Sequence, residues 1–565
     1  MTAAMTRAPV SAAEGGTSAS ISADIPRRMA LVVLFAATWF MAGCGDGGGW
    51  SGLLVSGLIA QDGDDLGQVT YDRWCAGCHG VDGTGNGPAS GYMLPRPRDF
   101  TQALYNIRTT ASGALPTDED ILAIIDRGMP GTTMPGWEDL LSSNEREALV
   151  QYLKSFSRFF TPDEVPEPLE FSRATRSNAD VIAEGERLFR ELADCAACHG
   201  NEGRGDGESA PTLTDDERDL PIRVADLTEN WLFNGGGEVE DIYRRLLTGL
   251  DGTPMPSLAD VITAGVITDE QLWAVAHYVR SLSPDDPPGI TEVVRGVLFE
   301  DAPLPSSIDD EAWDDVERTY LPLVGQIIVM PRWFDPRVDG VWAQAAHDGE
   351  SVAVRVTWSD PNNSPDPEWA DWKSQVISLM QPKEGDPQDE GPTPDQLVIQ
   401  FPMEMPEGME RPFFLKGDTR RPVYLWQWQS DRDGALEGEA RGVGTEAFQS
   451  EAQDLTVDAS YADGEWQIMF TRPLVTEDEG DLDFVTGEAI PVAFFAWDGD
   501  NGESGTRGAV SSWYFLFLED ATPATVYVYP ALAMMLTAGL GFLAVGSARK
   551  RERVGVEIES ETENS

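Results

Sequence analysis

Two short motifs of one type, separated by 120 positions, carry the clearest chemistry in this sequence. Cys75–His79 reads CAGCH and Cys195–His199 reads CAACH, so both follow the pattern Cys-x-x-Cys-His. Two thiols at this spacing can form thioethers with the vinyl groups on one edge of a porphyrin, and the adjacent imidazole then lies under the ring as an iron ligand. The sequence therefore predicts two covalent c-type haems. The predicted porphyrin-binding residues are Cys75, Cys78, Cys195 and Cys198, and the predicted iron ligands next to them are His79 and His199.

Two other kinds of protein site also use a Cys-x-x-Cys pair, and both are alternatives to haem attachment. A thioredoxin-like redox pair needs a strand-helix-strand context, and helical periodicity dominates around both motifs instead. A zinc site needs a second cysteine pair, and neither motif has one nearby. The fifth cysteine, Cys44, stands alone near the N-terminus, so the cysteines do not form a disulfide framework.

The second iron ligand is predicted from an internal repeat. Met93, Met129 and Met134 are the candidates after the first motif, but only Met134 has a counterpart after the second. Met134 and Met255 are 121 positions apart, and each lies in a Gly-Thr-x-Met-Pro run. A methionine is more often core filler than a ligand, but one repeated in a Gly/Pro loop at a fixed distance from a haem motif favours ligation. The expected ligand pairs are thus His79 with Met134 and His199 with Met255.

Three further residues are candidates for supporting roles. Pro211 follows the second motif closely, and its carbonyl is expected to accept a hydrogen bond from the other ring nitrogen of His199, with Pro95 as a looser counterpart in the first repeat. Arg98 is a candidate partner for a haem propionate, the alternative being a solvent-exposed arginine beside Asp99. The remaining histidines, His277 and His347, are interpreted as structural or exposed side chains.

The chain divides into regions by composition and periodicity. Helical patterns and the repeat cover the first half, whereas short alternating runs such as Ser351–Trp358 indicate half-buried strands after Pro287. The predicted fold class is two all-α domains followed by an all-β, sandwich-like domain and a C-terminal transmembrane helix. The predicted boundaries are an export or lipoprotein signal at 1–44, a flexible linker at 45–66, helical domains at 67–160 and 180–285 joined by a linker at 161–179, a β-rich domain at 290–520, a membrane helix at 526–547 and a tail at 548–565.

The net charge and two apolar segments indicate where in the cell the protein lies and what surrounds it. With 96 acidic and 40 basic residues the net charge is −56, which makes nucleic acid an improbable partner and is typical of a surface bathed in strong salt. Met29–Ala42 follows Arg27 and Arg28 and reads as an export signal, leaving open a lipidated Cys44, a plain signal peptide or an uncleaved anchor. Val526–Val545 is long enough to cross a bilayer, the alternative being a buried core helix. The basic residues that follow it predict a cytoplasmic tail, with the bulk of the chain in the periplasm or outside the cell.

Both parts of the chain resemble known families. Residues 67–160 and 180–283 resemble class I cytochrome c, which implies small helical domains with an axial methionine near the end. The β-rich region resembles the haem-binding gamma subunit of ethylbenzene dehydrogenase and related molybdenum enzymes of the dimethyl sulfoxide reductase family. The matching stretches are Asp395–Pro402, Pro412–Trp428, Asp463–Leu474 and Ala493–Trp513.

The second resemblance implies a β-sandwich that holds a b-type haem between a methionine and a lysine. Here Leu415 and Lys416 stand where the methionine is expected, and Gly508 stands where the lysine is expected, so a third haem is left open and Lys416 is either a substitute ligand or an ordinary solvated lysine. Tryptophans in the matching strands are interpreted as core aromatics rather than a cofactor site.

These observations predict an electron carrier rather than an enzyme, because two protein ligands on each iron leave no open coordination position. The expected partner is an oxidoreductase, and the resemblance to the gamma subunit implies one of the molybdenum-containing type. Two alternatives stay open: a haem enzyme such as a peroxidase or an oxyanion or sulfoxide reductase subunit, and a ligand-binding β-domain with tethered cytochromes.

Overall fold

The structure is a computed structural model of the 565-residue chain. The chain separates into two compact units, Met1–Asp62 and Gly63–Ser565. The predicted signal, Cys44 and nearly all of the linker at 45–66 lie outside the described residues. The residues that the structure describes are 63–161, 166–191, 193–289, 291–300, 302–380, 392–406, 410–449, 454–476, 481–521 and 525–562.

Helices form both halves of the repeat. The first repeat contains α1 (Gly63–Trp74), α2 (Ala76–His79), α3 (Asp118–Arg127) and α4 (Ser143–Ser155). The second contains α5 (Ala179–Glu191), α6 (Ala196–His199), α7 (Val239–Thr248), α8 (Ala259–Thr263) and α9 (Asp269–Ser281). Helix α1 begins inside the predicted linker, and long irregular segments separate the helices, so the all-α prediction is met only in part.

Local sequence explains where these helices begin and end. Capping boxes start α4 at Ser142 and α9 at Thr268, so the first orphan N–H groups are satisfied by side chains. Helices α3 and α7 end at Gly128 and Gly249, with φ of 73° and 65°. Only glycine adopts this conformation at low cost. Each of these glycines turns the chain into the loop that carries Met134 or Met255, called the methionine loop below.

The first and last helices of each repeat cross at a glycine. A Cβ atom on Gly67 would lie 2.3 Å from the carbonyl oxygen of Ala148, and one on Gly185 would lie 2.1 Å from that of Ala274. The backbones of α1 and α4, and of α5 and α9, therefore approach more closely than any other residue would permit. Each crossing fixes the helix that leads into a Cys-x-x-Cys-His motif.

The two repeats contact each other through a buried arginine. The side chain of Arg108 is fully buried and forms an ion pair with Asp251 at 2.7 Å. It also donates to the carbonyl oxygen of Thr248 at 3.0 Å, while Arg245 donates to the carbonyl oxygen of Arg108 at 2.7 Å. These contacts join the loop after the first motif to the end of α7, next to the second methionine loop.

The β-rich region forms a 14-stranded sheet in the order β10-β11-β5-β4-β1-β14-β12-β6-β7-β8-β9, with β2, β3 and β13 attached at the side. The strands are β1 (Val293–Leu298), β2 (Thr319–Pro322), β3 (Val324–Gly325), β4 (Gly340–His347), β5 (Ser351–Ser359), β6 (Gln396–Pro402), β7 (Val423–Gln429), β8 (Leu436–Ala440), β9 (Ala447–Phe448), β10 (Thr456–Ala462), β11 (Glu465–Pro473), β12 (Ala489–Trp497), β13 (Ala509–Val510) and β14 (Tyr514–Leu518).

The sheet folds over so that strands distant in this order pack face to face. Trp358 on β5 lies 6.2 Å from Trp428 on β7, and Phe470 on β11 lies 5.7 Å from Trp426, measured between ring centroids. These rings belong to one buried cluster. The prediction of a β-rich domain is therefore confirmed, and Trp426 and Trp428 lie in its core.

The sheet is mostly antiparallel, although strand β1 pairs in parallel with both β4 and β14. One feature of this region departs from the all-β prediction. A helix, α10 (Ala370–Met380), interrupts the all-β pattern between β5 and β6. Trp372, Val376 and Met380 on α10 are buried in a cluster that also contains Leu94 of the first repeat. The same cluster contains Ala210 of the second repeat, so the helix packs against both repeats, a position that strand periodicity could not reveal.

A single long helix, α11 (Thr525–Thr562), ends the described chain. Its stretch Thr525–Arg553 has a mean hydropathy of 1.8 and is long and apolar enough to cross a membrane, with none of it buried. A core helix would be covered by the rest of the protein, so this exposure favours a membrane span over the buried alternative. The helix continues beyond residue 547, where we expected a tail.

Candidate haem sites

The two Cys-x-x-Cys-His motifs have the same local geometry. Each begins at the cysteine before a four-residue helix, α2 or α6, and in each the histidine N–H donates to the carbonyl oxygen of the first cysteine at 2.9 Å. The histidine carbonyl then accepts from a glycine six residues on, from Gly85 at 2.8 Å and from Gly205 at 2.9 Å. The local fold thus places both thiols and the imidazole of each motif on one short turn.

The thiols do not have the properties of a redox pair. Burial raises the pKa of Cys75 to about 12 and that of Cys195 to about 11, which keeps both protonated at neutral pH, whereas a reactive thiol needs a lowered pKa. In the described part of the chain, the one group of three or more His, Cys, Asp or Glu side chains close enough to share a metal ion includes neither motif. The ligand geometry thus offers no support for a zinc site at either motif.

Backbone carbonyls orient both imidazoles. His79 Nδ1 lies 3.1 Å from the carbonyl oxygen of Arg98, and His199 Nδ1 lies 3.1 Å from that of Ala225. A hydrogen bond from Nδ1 leaves Nε2 as the basic nitrogen, which is the atom needed for a metal. Burial lowers the pKa of both imidazoles and so favours the neutral form that can ligate.

The prediction that Pro211 supplies this carbonyl is wrong, because Ala225 takes that place. Pro211 is buried in a short 3₁₀ helix at Ala210–Thr212. Pro95 is likewise replaced by Arg98 in the first repeat. No residue type marks a backbone acceptor, so the sequence held no signal for Ala225.

The two methionine loops match bond for bond. The carbonyl oxygens of Met134 and Met255 accept from the N–H groups of Met129 and Leu250 at 3.0 and 3.1 Å. The N–H groups of Met134 and Met255 each donate to a threonine hydroxyl, Thr132 or Thr253, at 3.2 Å. Each loop is thus closed on itself and holds its methionine in one position. Met129 occupies the position of Leu250 and so differs from Met134, as the repeat predicts.

One cavity of about 850 Å³ connects both sites. Its lining includes the four cysteines and two histidines of the Cys-x-x-Cys-His motifs and both loop methionines. Met93 and Met129 also reach this cavity, so position alone does not separate them from Met134. Asp335, Arg337 and Asp339 line it from the β-rich region. Sequence reasoning missed this third wall, since nothing in those residues marks them as neighbours of a distant motif.

The polar groups that line the cavity also suit a bound haem. Several buried polar atoms on its wall have no hydrogen-bond partner, namely Trp137 Nε1, Asn234 Oδ1, Arg223 Nε, Nε and Nη1 of Arg245, and Oδ2 of Asp226 and of Asp335. Buried donors without partners are costly, and most of these are N–H groups that an anionic propionate would satisfy. Arg245 is buried strongly enough to lower its pKa to about 10.

Arg98 lines the cavity but already has partners. Its guanidinium lies 2.9 Å from Glu217 in the second repeat and also hydrogen-bonds to Asn106. The side chain is only 25% exposed, so the alternative of a solvent-exposed arginine does not hold. Its predicted contact with a propionate stays a prediction, and the cavity offers Arg223 and Arg245 as further candidates.

The two other histidines are buried and hydrogen-bonded to backbone carbonyls. His277 Nε2 lies 2.9 Å from the carbonyl oxygen of Thr175, and His347 Nε2 lies 2.9 Å from that of Glu519. Both contacts support a structural role.

The β-rich region does not fit an internal b-type haem. Lys416 is not an ordinary solvated lysine, because its side chain is 13% exposed and pairs with Glu446 at 2.7 Å. Its ammonium lies 5.7 and 5.4 Å from the ring centroids of Phe495 and Trp497. The cavity at this place measures only about 20 Å³, and Leu415 and Gly508 line it where the methionine and lysine ligands are expected.

Comparisons with known proteins agree with the two halves of this description. Residues 63–153 match the family "Cytochrome C oxidase, cbb3-type, subunit III", residues 182–283 match "Cytochrome c", and residues 441–509 match "Ethylbenzene dehydrogenase". None of these matches reaches half of the chain.

Three curated relatives and one solved structure are similar to parts of the chain. A Haloferax mediterranei protein assigned as respiratory nitrate reductase heme subunit ORF7 is 29% identical over 39% of this chain and 70% of its own length. Subunit CcoP of the cbb3-type cytochrome c oxidase of Azospirillum brasilense is 30% identical over 26% of this chain and 46% of its own length. Chlorate reductase subunit gamma of Ideonella dechloratans is 29% identical over 22% and 49%.

The solved structure is the Kuenenia stuttgartiensis reducing HAO-like protein complex Kustc0457/Kustc0458. One chain of it is 42% identical, covers 39% of this chain and 96% of its own length, and has a TM-score of 0.37. Together, the duplicated haem-binding geometry and the family matches identify this chain as two cytochrome c domains followed by a domain of the ethylbenzene dehydrogenase type.

Proposed function

We propose that this protein is a membrane-anchored electron carrier with two c-type haems, each ligated by a histidine and a methionine. The observation that carries this proposal is the single cavity lined by both Cys-x-x-Cys-His motifs and both methionine loops. Haem iron supplies a reversible one-electron couple when it is bound. The residues of this chain would hold the two groups side by side and fix the ligands on both faces of each.

Ligand identity argues for transfer rather than catalysis. The loops that hold Met134 and Met255 are closed by the same hydrogen bonds, so both sites would present a thioether to the iron. Two protein ligands leave no position for a substrate, and a thioether stabilises the ferrous state and raises the potential. This pairing favours a carrier above the low-potential end of a respiratory chain.

The partner is proposed to be an oxidoreductase outside the cytoplasm, of the molybdenum-containing type that the β-domain resemblance implies. The acidic surface, with its net charge of −56, would favour a partner that presents positive charge near its redox centre. The basic cluster after the apolar part of α11 would keep the C-terminal end in the cytoplasm. Protease added to vesicles that expose the haem domains should then spare this end, and cleavage of it would overturn the orientation.

The first test is a haem count on the purified protein. We expect a pyridine haemochrome spectrum equivalent to two haems per chain, with none removed by acid-acetone extraction, because thioethers survive acid and b-type ligation does not. A third, extractable haem would contradict our description of the β-domain.

The second test separates ligands from neighbours. Met134→Leu and Met255→Leu should each remove about half of the absorption band near the red edge of the visible spectrum, which reports methionine bound to ferric iron, and should lower one of two midpoint potentials. Met129→Leu is the matched control, since Met129 lines the same cavity without a counterpart in the repeat. An unchanged band in the loop variants would refute the proposed ligation and revive the enzyme alternative, which needs an open iron.

A further inference from the structure

Three buried carboxylates meet at one end of the β-rich domain, next to Ser359 and Pro361 on the wall of the haem cavity. Asp360 follows β5, Asp395 precedes β6 and Asp498 follows β12. They are 0%, 0% and 2% exposed, and one carboxylate oxygen from each lies within 4.8 Å of the others. Three separate strand ends thus bring three acidic groups to a single point inside the protein.

The nearby charge of Arg337 acts on Asp360 and Asp498, but among the described residues it forms an ion pair with neither. None of the ion pairs among the described residues includes Asp360, Asp395 or Asp498. Burying three carboxylates together is strongly unfavourable unless a cation compensates them.

Neutral donors fix the carboxylates without supplying that charge. Asp395 accepts hydrogen bonds from the N–H groups of Ser364 at 2.7 Å and Gly499 at 3.0 Å, and from Trp466 Nε1 at 3.0 Å. Asp498 accepts from the N–H groups at positions 500 and 501, at 2.8 and 2.9 Å. The carboxylates are therefore held in place as a preorganised set rather than free to turn apart.

A buried amide oxygen beside the cluster gives an independent indication of a ligand. Asn362 is 4% exposed, and its Oδ1 has no hydrogen-bond partner. Its backbone N–H donates to Asp360 at 3.3 Å. Its Nδ2 donates to Asp500 at 2.7 Å and to Ser364 Oγ at 3.3 Å, and that hydroxyl donates to Asp498 at 3.3 Å. Asn362 is thus joined to two of the three carboxylates, and its one unsatisfied atom is an oxygen of the kind that hard cations take.

We propose that Asp360, Asp395, Asp498 and Asn362 form a structural site for a divalent cation of the calcium type. The donors are all hard oxygens, with no histidine or cysteine among them, which disfavours zinc and copper. Calcium accepts carboxylate and amide oxygens in flexible geometry, whereas magnesium retains several waters and demands an octahedron. The site lies in the β-domain and is independent of the proposed electron-carrying role.

The ion would join β5, β6 and β12 where they leave the sheet. Strand β5 and strands β6 and β12 lie far apart in the strand order, and their ends meet only because the sheet folds over. Ser359, the last residue of β5, accepts a hydrogen bond from Arg204 of the second cytochrome domain at 2.9 Å. The site would therefore hold the β-domain in the form that closes the haem cavity.

The test is a calcium count on the full-length, haem-loaded protein in detergent. The protein is washed with chelating resin in concentrated NaCl, which removes ions from the acidic surface, and calcium is measured by mass spectrometry relative to iron. We expect about one retained calcium for every two irons in the wild type. Asp498→Asn should lose it, whereas Asp431→Asn/Asp433→Asn, which removes two exposed carboxylates from the same domain, should retain it.

Thermal unfolding gives the second measurement. EGTA should lower the Tm of the wild type and of the surface control, CaCl₂ should restore it, and Asp498→Asn should respond to neither. If Asp498→Asn does not fold, Asp360→Asn takes its place, and the wild type's own response still decides. A wild type that retains no calcium and whose Tm ignores both additions would overturn the proposal, as would an Asp498→Asn protein more stable than the wild type in CaCl₂, since protons would then neutralise the cluster.

Discussion

Replacing Gly185 by alanine tests the helix crossing that positions the second haem motif. The new Cβ would lie 2.1 Å from the carbonyl oxygen of Ala274 and 2.7 Å from Cβ of Tyr278, whereas ordinary contact begins at 3.4 Å. The two helices would have to separate by more than 1 Å, and a backbone carbonyl cannot rotate away as a side chain would. Overpacking of this kind costs about 3 kcal/mol at the upper end of its range.

Part of that cost is offset by helix propensity, because alanine is favoured over glycine in a helix by about 1 kcal/mol. The expected net loss is therefore about 2 kcal/mol of unfolding free energy. Gly77→Ala is the matched control, since it makes the same exchange in a helix with nothing within 4 Å of the new Cβ. The second repeat already carries Ala197 at the corresponding place.

The assay is denaturant unfolding followed by the haem absorbance of each variant, with the slope of the transition checked for constancy. Gly185→Ala should unfold at lower denaturant than the wild type, while Gly77→Ala should unfold at the same or slightly higher concentration. Equal midpoints for the two variants would refute the claim that α5 and α9 meet at backbone contact distance.

Two further predictions concern charges that join the domains. Asp251→Ala would leave the buried guanidinium of Arg108 without its carboxylate and should cost about 3–5 kcal/mol. Arg187→Ala breaks only exposed pairs, with Glu184 and Glu191, and should cost much less. Equal losses in denaturant unfolding would contradict this contrast. Burial and the charge of Asp226 raise the pKa of Asp339 on the cavity wall from 3.8 to about 6. The folded state therefore keeps this proton to higher pH than the unfolded state does. The contribution of this group to the free energy of unfolding declines as the pH rises from about 4 through 6. Asp339→Asn should flatten that decline in Tm measured against pH, with the exposed Asp431→Asn as control, and an unchanged slope would show that Asp339 does not hold the proton.

The candidate haem sites could be predicted from the sequence because they depend on residue types at fixed spacing. Cys75–His79 and Cys195–His199 each match the attachment pattern, and the duplicated loop favours Met134 over Met129 as the predicted ligand. The backbone carbonyls of Arg98 and Ala225 were not predictable, because every residue has a carbonyl and only the fold decides which one meets an imidazole.

The fold could be predicted where the spacing of apolar residues matches the burial of an element. It could not be predicted where a helix interrupts the strands or where the pairing of strands depends on distant segments. Alternation along Ser351–Trp358 indicated strand β5, and the tryptophans of β7 fill the core as expected. Helix α10 and the parallel pairing of β1 were missed, since strand order depends on contacts between distant segments. The cluster of Asp360, Asp395 and Asp498 was missed for the same reason, because it forms only when three strand ends converge.

The short connection between the sheet and the last helix limits how far the redox domains can move. Strand β14 ends at Leu518 and α11 begins at Thr525, so even a fully extended connection of about 3.5 Å per residue spans only about 25 Å. With α11 in a bilayer, the end of β14 remains within that distance of the membrane surface. The redox domains therefore cannot leave the membrane, and a partner must either lie in the same membrane or approach its surface to exchange electrons.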